Sequence, residues 1–571
     1  MKEAINLKEL AKNRFLVDVV QSVSRKHRGT GLILVLDQES SDILTSLMSI
    51  PELTENGVFI VENIERKRKD YPKYPSIYFL TPTDSNIDFI EEDFGEGEKK
   101  YASLHLFFTK QIPDSTFAYL KTKRCVKRVK SLMEVNLNMS MVNDFIFAPK
   151  KGSDNLDEQV ETIFSTISQL RGLESAELFR LKNPLYKDAS YIQKALDRRV
   201  STLIKQHDGE GKNSLKVFIF ERNVDLITPL IHDFHYESLI TDIMSNESYV
   251  KDENDVVYSK YRHAFIKDCI LGIGDDFEKF LNENPVAKLQ RKNNSEKVRT
   301  DKLGTVVRGI TEYNEVIKYY EDHIATVGKL NKLIDQNGYK DLAEIECTIA
   351  TGVDEYGESI DTKKRLEVGG GVLDQLSRDK LNQARLLMIM QGSLYKDSSS
   401  KVNSLSDYNL RKKFDDYSQL VSKYGKYWPE KEKDNLKKIT KVKYNENEAS
   451  LQRYICKTEY LIKEAIAHNN TNQFDVLKYG NTGFFSKAQN TFFKGKLTNI
   501  GKKKGAKKTY VLAYFVGGIS FTEVQYLKNL EQVFGEGTIV VVGSPRLLTP
   551  KSFIESYLGT SASKSGKRID F

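Results

Sequence analysis

Cysteine is scarce: four residues in 571, at positions 125, 269, 347 and 456, with no CxxC pair. A disulfide framework needs clustered, regular spacings, so this usage points to a reducing compartment. Proline (12) and tryptophan (1) are equally sparse, and 34 glycines are few for a loop-rich repeat. No period of roughly 20–50 residues is present. Long apolar runs are missing too. The longest, at 510–516 and 539–542, are strand-sized, well short of the roughly 20 residues that span a bilayer. The N-terminal stretch MKEAINLKELAKNRF is broken by charge every few residues and holds no apolar signal core. The expectation is a cytoplasmic chain. Charge of one sign is modest as well: 87 basic against 79 acidic residues leave a net +8, which permits a basic patch without demanding nucleic acid.

What is present is long regular structure. At roughly 150 residues per domain the length allows three to four domains. GLILVLD (31–37), VFIVE (58–62), SIYFLT (76–81), SLHLFFT (103–109) and DFIFA (144–148) are continuous apolar runs of the kind found in buried strands. Helical spacing lies between them, so residues 1–149 are expected to form a parallel-sheet α/β domain. The stretch to Leu137, with Val126, Val129, Leu132 and Met133, reads as a helix. Leu156, Val160, Ile163, Phe164, Ile167 and Leu170 mark another helix. One strand then follows at 215–221, and two more only at 509–518 and 538–544. Each alone makes too small a sheet. The expectation is one discontinuous α/β domain, 150–245 plus 490–571, split by a mostly helical insertion, 246–489.

Within the insertion Tyr313, Val316, Ile317, Tyr320, Ile324, Val327, Leu330 and Ile334 form an apolar stripe more than five turns long. VGGG (368–371) and TGVDEYGES (351–359) read as loops, and 486–508 as a basic linker.

Catalytic signals are weak. GxxxxGK[ST], GxGxxG after a strand and GxSxG are all absent. Gly517-Gly518 reads as a tight turn, and His232 and His235, without further ligands nearby, read as structural. No catalytic residue, cofactor or metal is expected. Lys121, Lys123, Arg124, Lys127, Arg128 and Lys130 crowd one segment without interleaved stacking aromatics, so a solvated face or an acidic partner is favoured over nucleic acid. Ile112, Phe117, Val129 and Leu132, with Glu134 beside them, fit either core packing or a groove between two short helices.

VFIFERNVDLITPLIHDFHYESLITDIM (217–244) resembles the signature stretch of the SM (Sec/Munc) family of SNARE regulators, with Glu221, Arg222, Asp225, Thr228, Pro229, Leu230 and Tyr236 at its key positions. YFVGGISFTEVQYL, VVVGSPRLLTP, LDQESSDIL, GVFIVENIERKRK, IYFLTPTDSNI and LFFTKQIPDSTFAYL extend the resemblance in order over nearly the whole chain. It implies a three-domain arch that binds syntaxin-type (Qa) SNAREs, the vesicle R-SNARE and the assembled SNARE complex, with no reaction catalysed, and is most similar to the exocytic, plasma-membrane branch. Membranes would be met only through those SNAREs. By resemblance Ile112, Phe117, Val129, Leu132 and Glu134 match the pocket for the syntaxin N-terminal peptide. Asp37, Glu62 and Arg66 match the cleft for closed syntaxin. The helix bearing Tyr320, His323, Ile324 and Val327 matches the template for the vesicle SNARE. Ser49 stands where exocytic relatives carry a basic cleft residue, and Thr311 where they carry a hinge proline.

Overall fold

The computed structural model describes residues 6–558 apart from 28, 96–99, 171, 207–211, 245–254, 285–302, 377–378, 395–413, 415, 423–452 and 481–506. The expected boundaries at 245/246 and 489/490, and the basic linker up to 506, lie outside the described residues.

The first sheet contains β1 (Leu32–Leu36), β2 (Val58–Asn63), β3 (Tyr71–Leu80), β4 (Tyr101–Phe108) and β5 (Val129–Glu134), in the order β2-β1-β3-β4-β5 and parallel throughout. β1 is buried at all five positions, which is why it reads as an unbroken Leu/Ile/Val run: both faces are covered. One face, with Ile33, Val35, Tyr78, Leu80, Leu104, Leu106 and Phe108, closes over a core of its own. The other, with Leu32, Leu34, Leu36, Ile77, Phe79 and Phe107, merges into the core of the second sheet.

That second sheet comprises β6 (Ser140–Met141), β7 (Ile146–Ala148), β8 (Leu173–Leu181), β9 (Asn213–Glu221), β10 (Phe474–Gly480), β11 (Thr509–Val516) and β13 (Thr538–Gly543), in the order β10-β8-β9-β11-β13-β7-β6. A short ladder joins β12 (Ile519–Ser520) to β14 (Leu547–Leu548). β9 pairs with β11 in parallel from Ser214↔Thr509 to Glu221↔Val516, and β11 pairs with β13. Strands about 300 residues apart in sequence thus build one sheet, as the apolar runs required.

Four expectations are corrected. DFIFA belongs to the second sheet, not the first, because β7 finds its partner in β13 through Val542↔Ile146 and Gly543↔Phe147. Phe474–Gly480, placed in the insertion, is the antiparallel edge of the second sheet along β8. The Lys457–Ala467 helix before it buries Leu461, Ile462 and Ala465 in that same core. VGGG lies inside the Thr362–Gln375 helix: a Cβ on Gly369 would come within 2.8 Å of Met390 Sδ, so the missing side chain lets that helix lie close against Lys380–Leu394. Finally, the segment after Thr122 is not a helix. A 3-10 turn, Arg124–Arg128, leads directly into β5.

The insertion supplies the Ile266–Glu283, Leu303–Gln336, Tyr339–Thr351 and Lys380–Leu394 helices. Leu303–Gln336 runs 34 residues as a single helix, through position 311, about 50 Å at 1.5 Å per residue.

Candidate functional site

β5 and the Asp114–Thr122 helix contribute to one hydrophobic core, through Val129 and Leu120. β5 is an edge strand whose residues alternate between half-buried and exposed. Its pairing with β4 shifts register near its start, where Leu104↔Val129 is followed by His105↔Ser131. Directly opposed residues share a face of the sheet. Val129, Leu132 and Glu134 therefore join Leu104, Leu106 and Phe108 on the face that also buries Ile112 and Leu120. The bulge is the device that aligns three residues spaced 3 and then 2 apart.

Ile112 is buried (7% exposed), and its backbone N–H donates to Glu134 Oε1 at 2.9 Å, tying the loop after β4 to the end of β5. Phe117 is 36% exposed on the first turn of its helix, with Lys121 Nζ 4.2 Å above its ring. Leu132 is 45% exposed. Two open apolar side chains, Phe117 and Leu132, and the Glu134 carboxylate at the end of β5 suit a peptide that offers an apolar side chain and a cation. Each apolar side chain covered would contribute about 1.5–3 kcal/mol. Of the five expected pocket residues, Ile112 is hydrogen-bonded to Glu134 and shares a core with Val129, while Phe117 on its helix and Leu132 on β5 are open side chains; the setting is a helix and a strand instead of two short helices.

The cleft residues separate by role. Asp37 is 3% exposed and its carboxylate is committed. It caps the Gln38–Leu47 helix through Ser40 N (2.7 Å) and accepts from Thr81 N (2.8 Å) and Asn86 Nδ2 (2.7 Å). It shapes the C-terminal end of the sheet and offers no free oxygen to a partner. Glu62 accepts from the Tyr101 hydroxyl, while Arg66 is exposed in the turn after β2. Ser49 caps the Ile50–Glu55 helix in a reciprocal box with Glu52. The sequence reading missed what lies behind them: Arg68 Nη1 reaches Asp93 Oδ2 at 2.7 Å, and the Tyr78 hydroxyl donates to the same oxygen at 2.6 Å. Burial pushes the Tyr78 phenol well above its ordinary value. No local pattern announces this network, because its members come from a loop, a strand and a helix.

The long helix gives a sharper correction. His323 is 1% exposed, its Nδ1 2.6 Å from the Tyr236 hydroxyl and its Nε2 2.7 Å from Asp255 Oδ2. Val327 (5% exposed) packs with Leu330 and Ile334 in the insertion core. Tyr320 is half-buried and stacks on Phe277, ring centroids 5.1 Å apart. These three build the insertion. Of the four, Ile324 alone, 43% exposed, leaves an apolar side chain open. A full apolar stripe cannot be both core and open template, and the neighbouring helices take most of it.

The signature stretch is a junction. Arg222, 7% exposed, gives both terminal nitrogens to Glu523, with Gly518 O at 3.1 Å and Asp225 O at 2.7 Å. Asp225 is fully buried and accepts from Ile227 N, Thr228 N, the Thr228 hydroxyl and Lys457 N at 2.6–3.0 Å. Gly518 sits at φ +126°, where a Cβ would meet Leu548 Cδ1 at 2.6 Å, so the Gly-Gly turn is structural. His232 Nδ1 lies 2.9 Å from Glu346 and His235 Nδ1 2.7 Å from Asp233. Among the described residues no group of three metal-binding side chains converges, and no helix is long and apolar enough to cross a membrane.

A family model described as the Sec1 family matches residues 32–556. The Protein transport protein sec1 of Dictyostelium discoideum is 24% identical, over 97% of this chain and 99% of its own length. Among solved structures, the Unc18–syntaxin 1 complex from Monosiga brevicollis is similar at a TM-score of 0.72 and 18% identity, covering 97% of this chain and 99% of that one. Sly1p in complex with an N-terminal peptide of Sed5p is similar at a TM-score of 0.67 and 15% identity, with the same coverage. At such identities the structural likeness carries the fold.

Proposed function

The chain belongs to the Sec1 family, and on that premise we propose that it binds a syntaxin-type (Qa) SNARE and templates SNARE-complex assembly for vesicle docking and fusion at the plasma membrane. The observation that carries the reading is the exposure of Phe117 and Leu132 together with the Ile112–Glu134 hydrogen bond, which we read as a groove open at two apolar positions and acidic at one end. It takes the N-terminal peptide of the syntaxin, and the Sly1p structure, solved with an N-terminal peptide of Sed5p, supports a peptide mode for this fold. The exocytic assignment draws on the resemblance of IYFLTPT and FFTKQIPDSTF to that branch and on the full-length match to a sec1 protein.

Positioning is the activity, and no covalent step or cofactor enters. SNARE motifs are disordered alone. A surface that holds one by its N-terminal peptide and another at the exposed face around Ile324 makes their pairing intramolecular, which raises effective concentration without any new contact between them. The cleft beside Glu62 and Arg66 holds the folded part of the syntaxin.

Calorimetry with a synthetic syntaxin N-terminal peptide tests the groove. Phe117→Arg sets a charge in an apolar contact and is expected to weaken binding by about tenfold or more. Unchanged affinity in the folded variant removes the groove as the site. A capture experiment across a panel of syntaxins assigns the trafficking step; selective retention of an endosomal or Golgi syntaxin would replace the plasma-membrane assignment.

A further inference from the structure

The spacing at 121–130 predicts a helix face for the cation run, solvated or turned toward an acidic protein. The structure leaves Lys121 in the last turn of the Asp114–Thr122 helix and places the rest after it, on a 3-10 turn and the outer edge of β5. Residues 117–133 contain no Asp or Glu. The carboxylates that approach are already committed: Asp88 pairs with Lys123 at 2.6 Å, and Glu91 accepts from Arg124 N and Cys125 N. Among the described residues no carboxylate lies within ion-pair distance of Lys121, Lys127, Arg128 or Lys130. A second chain segment brings more charge of the same sign. Lys26, exposed in the loop before β1, donates to Ser131 Oγ on β5 at 2.9 Å, with Arg25 exposed beside it. Lys26 and Lys130 are both close enough to His105 to act on it: burial first, then His27 and these two lysines, push its imidazole down to about 4. Val126, between Arg124 and Lys127 in the chain, is 36% exposed.

We propose that this edge of the first domain, Lys26, Lys121, Lys127, Arg128 and Lys130 with Val126 between them, is a contact surface for an anionic phospholipid bilayer. The argument for a bilayer over an acidic protein is the composition of the patch. It is cationic on both contributing segments, and an exposed aliphatic side chain, Val126, stands among the cations, which is the make-up of a surface that sits at the headgroup boundary. Uncompensated cations near an anionic leaflet each add to membrane affinity, and the attraction decays within a Debye length. The inference is independent of the peptide groove, although Leu132 borders both: one concerns lipid, the other a polypeptide.

Vesicle flotation with the full chain tests it. Binding is expected to vesicles of phosphatidylcholine with phosphatidylserine, weakening as salt rises, and to be absent from phosphatidylcholine alone. Lys127→Ala/Lys130→Ala is expected to lower partitioning roughly thirtyfold, as two surface cations would. Lys127→Arg/Lys130→Arg retains the charge and should retain binding, and both variants should keep wild-type affinity for the syntaxin peptide, which shows that the domain is folded. Equal partitioning onto the two vesicle types, undiminished binding by the alanine pair, or capture of soluble polyglutamate without vesicle binding would each overturn the proposal.

Discussion

Arg222 carries its charge into a site 7% exposed, where Glu523 receives both guanidinium nitrogens while also closing the capping box of Ser520. The two residues are 301 positions apart. Removing one partner strands the other charge out of water. Glu523→Ala is expected to cost about 3–5 kcal/mol, read from the shift of the denaturant midpoint. Glu221, next in the chain, behaves in the opposite sense. Burial raises its carboxyl from 4.5 to about 7, although Asp188 N and Ala189 N donate to it. Below the ordinary carboxylate range both folded and unfolded chains hold the proton. Between there and about 7 the unfolded chain has released it and the folded chain has not, so stability falls as pH rises through that window. Glu221→Gln keeps an acceptor for the two N–H groups. It should change little in acid and stabilise by about 1 kcal/mol at alkaline pH, the full shift being discounted for partial solvent access. Thermal melts on either side of the window measure the difference.

The elements show where a one-dimensional pattern misleads. Val126, Val129, Leu132 and Met133 have helical spacing, yet the chain there is a 3-10 turn followed by a strand with a bulge. A bulge converts a three-residue step into a same-face relation, so spacing alone cannot separate it from a helix turn. In Leu303–Gln336 the opposite occurs: the helix was legible from its stripe, but its facing was not. The insertion helices cover Val327 and His323 and leave Ile324 open. Ile324→Arg should therefore leave stability within about 0.5 kcal/mol while weakening vesicle-SNARE binding. Val327→Arg should unfold the insertion by burying an unpaired charge. Circular dichroism together with SNARE capture separates the two, and normal SNARE capture by a folded Ile324→Arg variant would remove this helix from the template.

At the scale of the molecule, Asp225 joins the second sheet to the chain returning from the insertion. Its carboxylate accepts from Lys457 N at 2.9 Å and from the Tyr454 hydroxyl at 3.3 Å, more than 220 positions away. Asp225→Ala leaves those donors without their acceptor. Limited proteolysis is expected to cut earlier near 454–457 in the variant than in the wild type. Unchanged cleavage there would show that apolar packing alone holds the junction.

The amino-acid pattern alone was enough for the apolar strands β1–β4, β7, β9, β11 and β13, for the split of the second sheet and for the family, because buried parallel strands leave unbroken apolar runs and the signature residues stand close together in the chain; β5, β8 and β10, with mixed polar and apolar residues, were not legible that way. Tertiary structure decided what those runs pair with and which side chains remain open. β7 crosses to the second sheet, β10 closes its far edge, Asp37 and His323 turn inward, and Phe117, Leu132 and Ile324 stay at the surface. The physical reason is the same in each case: periodicity records that a side chain is apolar or polar, whereas burial and pairing depend on partners that lie hundreds of residues away.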